Sequence, residues 1–424
     1  MRVNRARAIS TPGEDAGAGA AMSVGGGGGL GVNLPLLRNH NAALVLDLLR
    51  SAGTEGISRL ELADRTGLTP QAVSKITARL RDDELLTEAG RLASTGGKPR
   101  TVLRLVPSAA YAVGVQLDRD ELTSVLLDLA GTRVATRVVS LDLGAGPDAV
   151  TGRVTEEVQS LLDDSLTGRA DDIDGSPTSE GNEESEGEET GARVLGVGVA
   201  MPGPLDHFAG VPHRVTGYPE WDGYRLRDEL ARRLGLPVVL DKDTNAAALG
   251  LALRGAGESF AYLHLGTGIG AGLVLEGALY RGARTGAGEF GHQVIQLDGP
   301  PCDCGKRGCL EALCLAAVAR GDLSEAARVL GVGVVNLVEL LDIDRVLLGG
   351  RVVAMAEAEF VRGVRAVLVS RTRVRVAPAG GGAHRVAEGA AQLVLAPVFG
   401  RAEVAYASHH GLRPSPGSRP ITIE

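Results

Sequence analysis

Three of the four cysteines in this chain crowd into the stretch CDCGKRGCLE, which runs from Cys302 to Glu311. The glycines let the backbone turn closely, so that Cys302, Cys304 and Cys309 can direct their sulfur atoms at one centre. Such clustering does not make a disulfide framework, and in a reducing compartment it more often holds a metal ion. The spacing therefore predicts a metal site in a loop of a cytoplasmic protein. Reduced, buried cysteines are the alternative.

The length of the chain predicts more than one domain. Its 424 residues exceed what one hydrophobic core normally serves. Apolar residues make up 44% of a globular composition, and no apolar run approaches the ~20 residues that cross a bilayer. Residues 1–33 are rich in Gly and Ala and lack the apolar segment of a secretory signal. We predict a disordered tail there and a second tail over residues 401–424.

An acidic segment accounts for the net charge. Residues 163–192 contain eleven Asp or Glu and one Arg, a charge of −10, while the whole chain carries −8. The segment has no apolar periodicity, so we predict a disordered insertion that interrupts a domain. The net charge therefore says little about binding partners.

Residues 36–106 have the pattern of a small helical unit that ends in a hairpin. The first helix is amphipathic. Its predicted apolar stripe consists of Leu37, Ala42, Leu44, Val45, Leu48 and Leu49. Ser58 and Glu61 have capping-box spacing at the start of a second helix, which Gly67 ends.

A third helix carries side chains that suit DNA. Thr69 is placed to cap it, and Pro70 takes its first position, where a missing N–H costs nothing. Val73, Ile76 and Leu80 recur at helical spacing and are expected to face the core. The candidate DNA-binding residues of this helix are Pro70, Gln71, Ser74, Lys75 and Arg79. Two short helices around a tight turn, the second polar and basic on its free face, predict a helix-turn-helix whose second helix enters the major groove.

Two strands follow, around a Gly-rich tip that bears Lys98 and Arg100. This pattern predicts a wing whose cations contact the DNA backbone or the minor groove. Residues 38–104 contain eleven Lys or Arg against eight Asp or Glu, so charge alone is weak evidence for DNA. A helical protein-interaction module is the alternative.

Residues 110–400 alternate apolar strands with helices. Strands such as YAVGVQL, RVLGVGVAMPGP and RVLLGGRV end in glycine-rich turns. This alternation is typical of an α/β domain with a ligand cleft.

Four stretches of this second domain resemble motifs of the ROK family (repressor, open reading frame, kinase). They read GAGEFGH, CDCGKRGCLE, LGTGIGAGLV and VLLGG. With the helical unit in front, the chain is similar to the transcriptional branch of the family, such as the xylose and N-acetylglucosamine repressors. The resemblance implies a winged helix-turn-helix followed by an actin-like, two-lobed sugar-kinase fold.

The resemblance also implies a structural zinc site at His292, Cys302, Cys304 and Cys309. One imidazole and three thiolates satisfy tetrahedral zinc and leave no position open for water. Cys314 falls outside the motif, in an apolar helix, and is expected to be a small core residue.

The family's sugar contacts correspond to Glu289, His292 and Glu311. Carboxylates suit a sugar because their oxygens can accept hydrogen bonds from adjacent hydroxyls. A zinc ion would then fix the loop that carries Glu311 and orient His292.

Two motifs of the family's kinases are altered. The motif Asn-Asp-x-Asn reads KDTN, so that Asp243 matches the catalytic base, Lys242 replaces a sugar-binding Asn and Asn245 is kept. Lys242 and Asp243 remain candidate sugar contacts. The first phosphate loop is replaced by QLDRDE, in which Asp118 and Asp120 are expected to put negative charge beside a phosphate. Although GTGIG survives as the second phosphate loop, we interpret Asp243 as a vestigial base and expect no kinase activity.

Together these features predict a sugar-responsive transcriptional regulator, a repressor of carbohydrate-utilisation genes. Its expected partners are operator DNA and a sugar or sugar derivative, with no membrane. A homodimer or higher homo-oligomer would place two recognition helices in successive major grooves. The alternatives are an ATP-dependent sugar kinase with an appended DNA-binding domain, and a DNA-binding protein whose degenerate sugar pocket serves only dimerisation.

Overall fold

The computed structural model describes residues 40–92, 100–166, 192–368 and 374–401. The predicted tails apart from Arg401, Leu37 of the predicted first helix, the wing tip with Lys98 and most of the acidic insertion lie outside these ranges. The helices are α1 (His40–Ala52), α2 (Arg59–Thr66), α3 (Pro70–Asp82), α4 (Pro147–Leu166), α5 (Leu226–Leu234), α6 (Asp243–Leu253), α7 (Leu310–Ala319), α8 (Leu323–Leu341), α9 (Arg351–Met355), α10 (Glu357–Leu368) and α11 (Arg385–Leu395). The strands are β1 (Ile57–Ser58), β2 (Leu86–Leu92), β3 (Arg100–Leu105), β4 (Tyr111–Leu117), β5 (Glu121–Asp128), β6 (Arg133–Ser140), β7 (Val194–Met201), β8 (Leu205–Asp206), β9 (Val211–Pro212), β10 (Val238–Lys242), β11 (Phe260–Leu265), β12 (Ile269–Leu275), β13 (Ala278–Tyr280), β14 (Arg345–Gly349) and β15 (Arg375–Pro378).

The N-terminal unit, residues 40–106, contains α1 to α3 and an antiparallel sheet of order β1–β3–β2. Ser58 and Glu61 form the predicted capping box, in which the Ser58 N–H donates to the Glu61 carboxylate at 2.9 Å. Helix α2 ends at Gly67, whose φ of 70° favours glycine. Thr69 caps α3 by accepting a backbone N–H at 3.2 Å. The predicted second and third helices are therefore confirmed at their starts.

The core of this unit differs in part from the predicted stripe. On α1, Leu44 and Leu48 are only half-buried, and Leu46 is buried instead. Leu46 shares a hydrophobic cluster with Phe399 near the end of the described chain, so α1 is covered from a second side that its own periodicity does not reveal. On α3, Val73 and Leu80 are buried as predicted, and Ile76 is half-buried.

Residues 110–401 form two lobes, each built on a five-stranded sheet. Lobe I has the order β10–β7–β4–β5–β6, and lobe II has the order β13–β12–β11–β14–β15. In both sheets, three successive strands pair antiparallel and two later strands add in parallel on the other side of the first. This repeated topology confirms the predicted two-lobed α/β fold.

Helix α4 runs further than the sequence predicts. It continues to Leu166, so residues 163–166 of the predicted acidic insertion are helical. The buried positions of α4 extend to Leu161, and its last turn is joined to β6 by an Arg137–Asp164 ion pair at 2.7 Å. Leu166, which follows Asp163 and Asp164, is partly buried against the core of lobe I, so the apolar face of α4 continues past the first acidic residues. In the described part of the chain, no helix combines the length and apolar character needed to cross a membrane.

Helix α11 packs closely against both lobe I and α6. A Cβ on Gly198 of β7 would lie 1.8 Å from the carbonyl oxygen of Ala390, and a Cβ on Gly389 would lie 1.9 Å from that of Ala246. Only glycine permits these approaches. The chain then continues to Phe399, over whose ring the Arg50 guanidinium lies at 4.3 Å from the centroid. The N-terminal unit therefore packs onto the end of α11 through a shared core.

Candidate functional site

A cleft between the two lobes brings the predicted sugar contacts together. It encloses about 620 Å³ of space that includes open solvent, and small-molecule sites are typically concave clefts of this kind with a few polar groups directed inward. The predicted residues that line it are Lys242, Asp243, Glu289, His292 and Glu311. Asp118, Arg119 and His264 line it as well. The site is therefore formed by loop and element ends from both lobes.

Four side chains of the zinc motif converge beside this cleft. Candidate ligand atoms of His292, Cys302, Cys304 and Cys309 all lie within 4.8 Å of one another. The Cys304 and Cys309 sulfurs are 3.6 Å apart, and the Cys302 sulfur is 3.7 Å from His292 Nδ1. Two sulfurs on one tetrahedral ion would be about 3.8 Å apart for bonds of about 2.3 Å. The cluster therefore fits a metal ion in geometry and donor type. Cys314 is buried and separate from it, as predicted.

The cysteine loop leads directly to Glu311. Cys309 is the residue before α7, and Glu311 lies in the first turn of that helix. One Glu311 oxygen accepts the Ile269 N–H at 2.7 Å, and the other lies 4.0 Å from His292 Nδ1. His292 belongs to the metal cluster and also lines the cleft. A metal ion here would thus fix two cleft residues at once.

Lys242 acts on a neighbouring carboxylate. Its ammonium lies 3.1 Å from Glu289 Oε1 and also donates to the Ala287 carbonyl. The Lys242 side chain is only 3% exposed, whereas that of Glu289 is 40% exposed. Lys242 therefore orients Glu289 and leaves the second carboxylate oxygen of Glu289 open to a ligand.

Asp243 is half-buried at the start of α6, where it lines the cleft. Burial raises its pKa to about 7, although the Thr244 N–H, which donates at 2.6 Å, opposes the shift. Burial also lowers the pKa of His264 to about 4, so this histidine is neutral at physiological pH. Its ring lies 2.9 Å from the Tyr262 hydroxyl. Asp243 and His264 can thus each exchange hydrogen bonds with a sugar hydroxyl as neutral or near-neutral groups.

Behind Lys242 and Asp243 lies an ion pair that the sequence analysis missed, here called the floor pair. Arg281 donates two hydrogen bonds to Asp241 Oδ2, at 2.8 and 2.5 Å, and both side chains are at most 5% exposed. Burial by itself would raise the pKa of Asp241, but Arg281 outweighs it and the pKa is lowered. Asn245 donates to the same carboxylate at 2.8 Å. Asn245 therefore supports the site from below.

A second ion pair, here called the rim pair, joins the lobes at the turn that replaces the kinase phosphate loop. Arg351 binds Asp120 at 2.9 and 3.0 Å, and lowers its pKa through these hydrogen bonds. Asp118 accepts the Thr267 hydroxyl from the opposite lobe at 2.8 Å. The expectation that both carboxylates face a phosphate is therefore wrong for Asp120, which does not line the cleft. Arg119 lines it instead.

The candidate DNA-binding residues of α3 share one exposed face. All five, Pro70, Gln71, Ser74, Lys75 and Arg79, are exposed. Arg100 begins β3, but its side chain lies outside the described residues, as does all of Lys98. The polar face of α3 is thus open to solvent.

Comparison with known proteins places this arrangement in context. Residues 184–317 match the model of the ROK family. The chain is 28% identical over 258 residues to the xylose repressor of Bacillus subtilis and 37% identical over 211 residues to the glucokinase of Thermotoga maritima. These matches cover 60% and 48% of this chain, and 61% of each relative. The chain therefore spans about three fifths of the length of both relatives.

A solved structure covers more of the chain. It is a ROK family transcriptional regulator described as a homologue of the Escherichia coli Mlc protein, and it superposes with a TM-score of 0.66 at 20% identity. The superposition covers 85% of this chain and 97% of that one. At this identity the likeness establishes the fold.

Proposed function

Because this chain contains a ROK-family domain, we propose that it is a sugar-responsive transcriptional repressor. Residues 36–106 act as a winged helix-turn-helix that binds operator DNA, and residues 110–400 act as the effector domain. The observation that carries the proposal is the exposed polar face of α3. The unit that contains α3 shares a hydrophobic core with residues 110–400, which form the cleft. A homodimer would present two such helices to a near-palindromic operator.

DNA binding rests on Gln71, Ser74, Lys75 and Arg79, with Pro70 at the start of the helix and Lys98 and Arg100 on the wing. The test is fluorescence anisotropy of the full chain on the DNA upstream of its own gene, with and without sugars. Replacing Lys75 by Ala lowers affinity and, if Lys75 meets a phosphate, makes the slope of log K against log salt shallower by about one. Arg320→Ala, an exposed change of the same charge in lobe II, is the matched control. No DNA binding under any condition would end the proposal.

The effector binds in the cleft through Glu289, His292, Glu311 and Asp243, with Lys242 orienting Glu289. A ligand changes DNA affinity only if it binds one arrangement of the lobes more tightly than another. The repressor names of relatives such as the Bacillus subtilis protein support a sugar effector. Thermal-shift screening of monosaccharides identifies the ligand, because selective binding to the folded state raises the melting temperature.

The metal of the cluster is zinc, which three thiolates and one imidazole suit. It stiffens the loop before Glu311 and fixes the His292 ring, while the chain's own groups bind the sugar. Elemental analysis is expected to find one zinc per wild-type chain and none in Cys304→Ser. Cys314→Ala keeps the zinc, since Cys314 lies outside the cluster. Because no cysteine lines the cleft, weaker sugar binding in Cys304→Ser reports on the groups that the metal holds, which are the loop before Glu311 and the His292 ring.

A sugar kinase is the second candidate. It is favoured by Asp243, whose pKa of about 7 suits a general base, and by the glucokinase relative. Sugar-dependent release of ADP that disappears in Asp243→Asn would establish it. The repressor proposal expects none, because the first phosphate loop has lost its glycines.

A further inference from the structure

The segment that carries Glu289 to the cleft contacts lobe I at both of its ends. It consists of residues 281–289 of lobe II, directly after β13, and is here called the Glu289 loop. Arg281 at its start forms the floor pair with lobe I. At its end, Lys242 of lobe I contacts the Ala287 carbonyl and Glu289. The Ala287 N–H also donates to the Arg281 carbonyl at 3.0 Å, so the loop closes on itself, and a displacement of its middle would shift Glu289.

The middle of the Glu289 loop has a backbone conformation that is unfavourable for its residue. Thr285 has a φ of 56° and is only 2% exposed. This left-handed conformation strains a β-branched residue, whereas glycine adopts it freely. Gly282 and Gly288 occupy other positive-φ positions of the same loop, at 73° and 86°. A threonine at position 285 therefore indicates that its side chain makes a contact that offsets the strain.

The Thr285 side chain contacts a histidine of lobe I. Its hydroxyl oxygen lies 2.7 Å from His207 Nδ1 and accepts the His207 backbone N–H at 3.4 Å. Burial, together with the nearby Arg281 guanidinium, lowers the pKa of His207 to about 4, so the ring is neutral at physiological pH. A neutral imidazole nitrogen can accept the proton of the hydroxyl while the hydroxyl oxygen accepts the backbone N–H. Two hydrogen bonds thus join the middle of the Glu289 loop to lobe I.

His207 lies in a turn that other contacts hold in place. It follows β8, where Asp206 Oδ1 accepts the Phe208 N–H at 2.9 Å. Arg227 donates to the Phe208 carbonyl at 2.7 Å. The described residues that line the cleft include neither His207 nor Thr285. The histidine is therefore a fixed support for the Glu289 loop from outside the cleft.

We propose that His207 and Thr285 are positioning residues for Glu289. Their contact holds the Glu289 loop against lobe I, so that the second carboxylate oxygen of Glu289 is presented to a sugar hydroxyl. Groups that bind a ligand need such support from residues that do not touch it, because small displacements weaken binding. This inference rests on the proposed sugar-binding function and adds two residues to it. Loss of the contact is expected to weaken sugar binding about 3- to 10-fold.

Calorimetry of the full, zinc-loaded chain with a panel of monosaccharides that includes xylose, glucose and N-acetylglucosamine tests this role. Thr285→Val keeps the shape of the side chain and removes the hydroxyl. It is expected to bind the tightest wild-type ligand about 3- to 10-fold more weakly. Thr285→Ser keeps the hydroxyl and is expected to retain most of the affinity. Thr155→Val, which removes a hydroxyl that donates within α4 at 2.8 Å, is the matched control and leaves the affinity unchanged.

A double-variant cycle assigns the effect to the contact itself. His207→Leu is expected to weaken sugar binding as much as Thr285→Val does, and the double variant is expected to lose no more, because both changes break the same contact. His207→Asn restores most of the affinity, since its side-chain oxygen can accept the Thr285 hydroxyl in place of Nδ1. The DNA affinity of each variant without sugar is expected to equal that of wild type, which reports that the chain is folded.

Three results overturn the inference and leave the proposed function standing. They are wild-type sugar affinity in Thr285→Val, equal losses in Thr285→Ser and Thr285→Val, and losses that add in the double variant. If Thr285→Val does not fold, the comparison of His207→Leu with His207→Asn measures the same contact. If no sugar of the panel binds the wild-type chain, the proposed function fails and this inference fails with it.

Discussion

The floor and the rim of the cleft are each joined by an aspartate–arginine pair, and the two pairs differ in their access to water. The floor pair, Asp241 with Arg281, is at most 5% exposed. The rim pair, Asp120 with Arg351, is 58% and 44% exposed. The hydrogen bonds of the two pairs have similar lengths, but the pairs are expected to contribute differently to the free energy of unfolding. Water and salt screen the rim pair and do not reach the floor pair. Breaking the floor pair is therefore expected to cost much more free energy than breaking the rim pair.

The largest effect is expected from Arg281→Met. It leaves the buried Asp241 carboxylate without its counter-charge, which costs about 3–5 kcal/mol in the free energy of unfolding. Denaturant titration measures the loss. The double variant with Asp241→Leu recovers most of it, since neither charge is then stranded. A single-variant loss below about 1 kcal/mol would mean that water reaches the floor.

The second-largest effect is expected on the pH dependence of stability, through Asp243, which lies beside the floor pair. Its folded pKa of about 7 exceeds its usual value of 3.8, so the folded chain holds a proton that the unfolded chain releases. Wild-type stability therefore falls as the pH rises from about 4 to 7, and the cost persists above that range. Asp243→Asn lacks this cost, so its stability relative to wild type is expected to improve by about 2–3 kcal/mol between pH 5 and pH 8.

Thermal or denaturant unfolding of both proteins at the two pH values measures the difference. Asp120→Asn serves as the control, because the Asp120 pKa is lowered rather than raised. A difference that stays constant between pH 5 and pH 8 would contradict a raised pKa of Asp243.

The smallest effect is expected at the rim. Arg351→Gln removes an exposed ion pair and costs no more than about 1 kcal/mol of stability. Raising the salt concentration from 0.1 to 1 M is expected to reduce even that difference, whereas the effect of Arg281→Met persists. If Arg351→Gln lowered the free energy of unfolding as much as Arg281→Met does, the proposed difference between the rim pair and the floor pair would be wrong.

Local signals predicted the N-terminal unit well. Ser58, Glu61 and Thr69 cap helices through contacts three residues away, so spacing alone reveals them. The metal cluster was equally visible, since Cys302 to Cys309 form one loop and the family motif supplied His292. These features depend mainly on residues that are close together in the sequence.

The two ion pairs of the cleft could not be predicted from the sequence, because the partners in each pair are far apart along the chain. Asp241 and Arg281 are 40 residues apart, and Asp120 and Arg351 are 231 residues apart. The altered motif QLDRDE identified the turn, but only the tertiary contacts show that Asp118 and Arg119 line the cleft and that Asp120 does not. Side-chain direction at such turns is set by the opposite lobe, which no local pattern encodes.

The segment after helix α11 has a consequence for any attempt to study the N-terminal unit by itself. The apolar surface of α1 that includes Leu46 lies against Phe399, a residue that follows the end of α11. Asp47 of α1 pairs with Arg401. A fragment that stops at residue 106 would expose this surface to water and would lose the Asp47–Arg401 ion pair. The packing of the N-terminal unit therefore depends on Phe399 and Arg401, about 350 residues further along the chain.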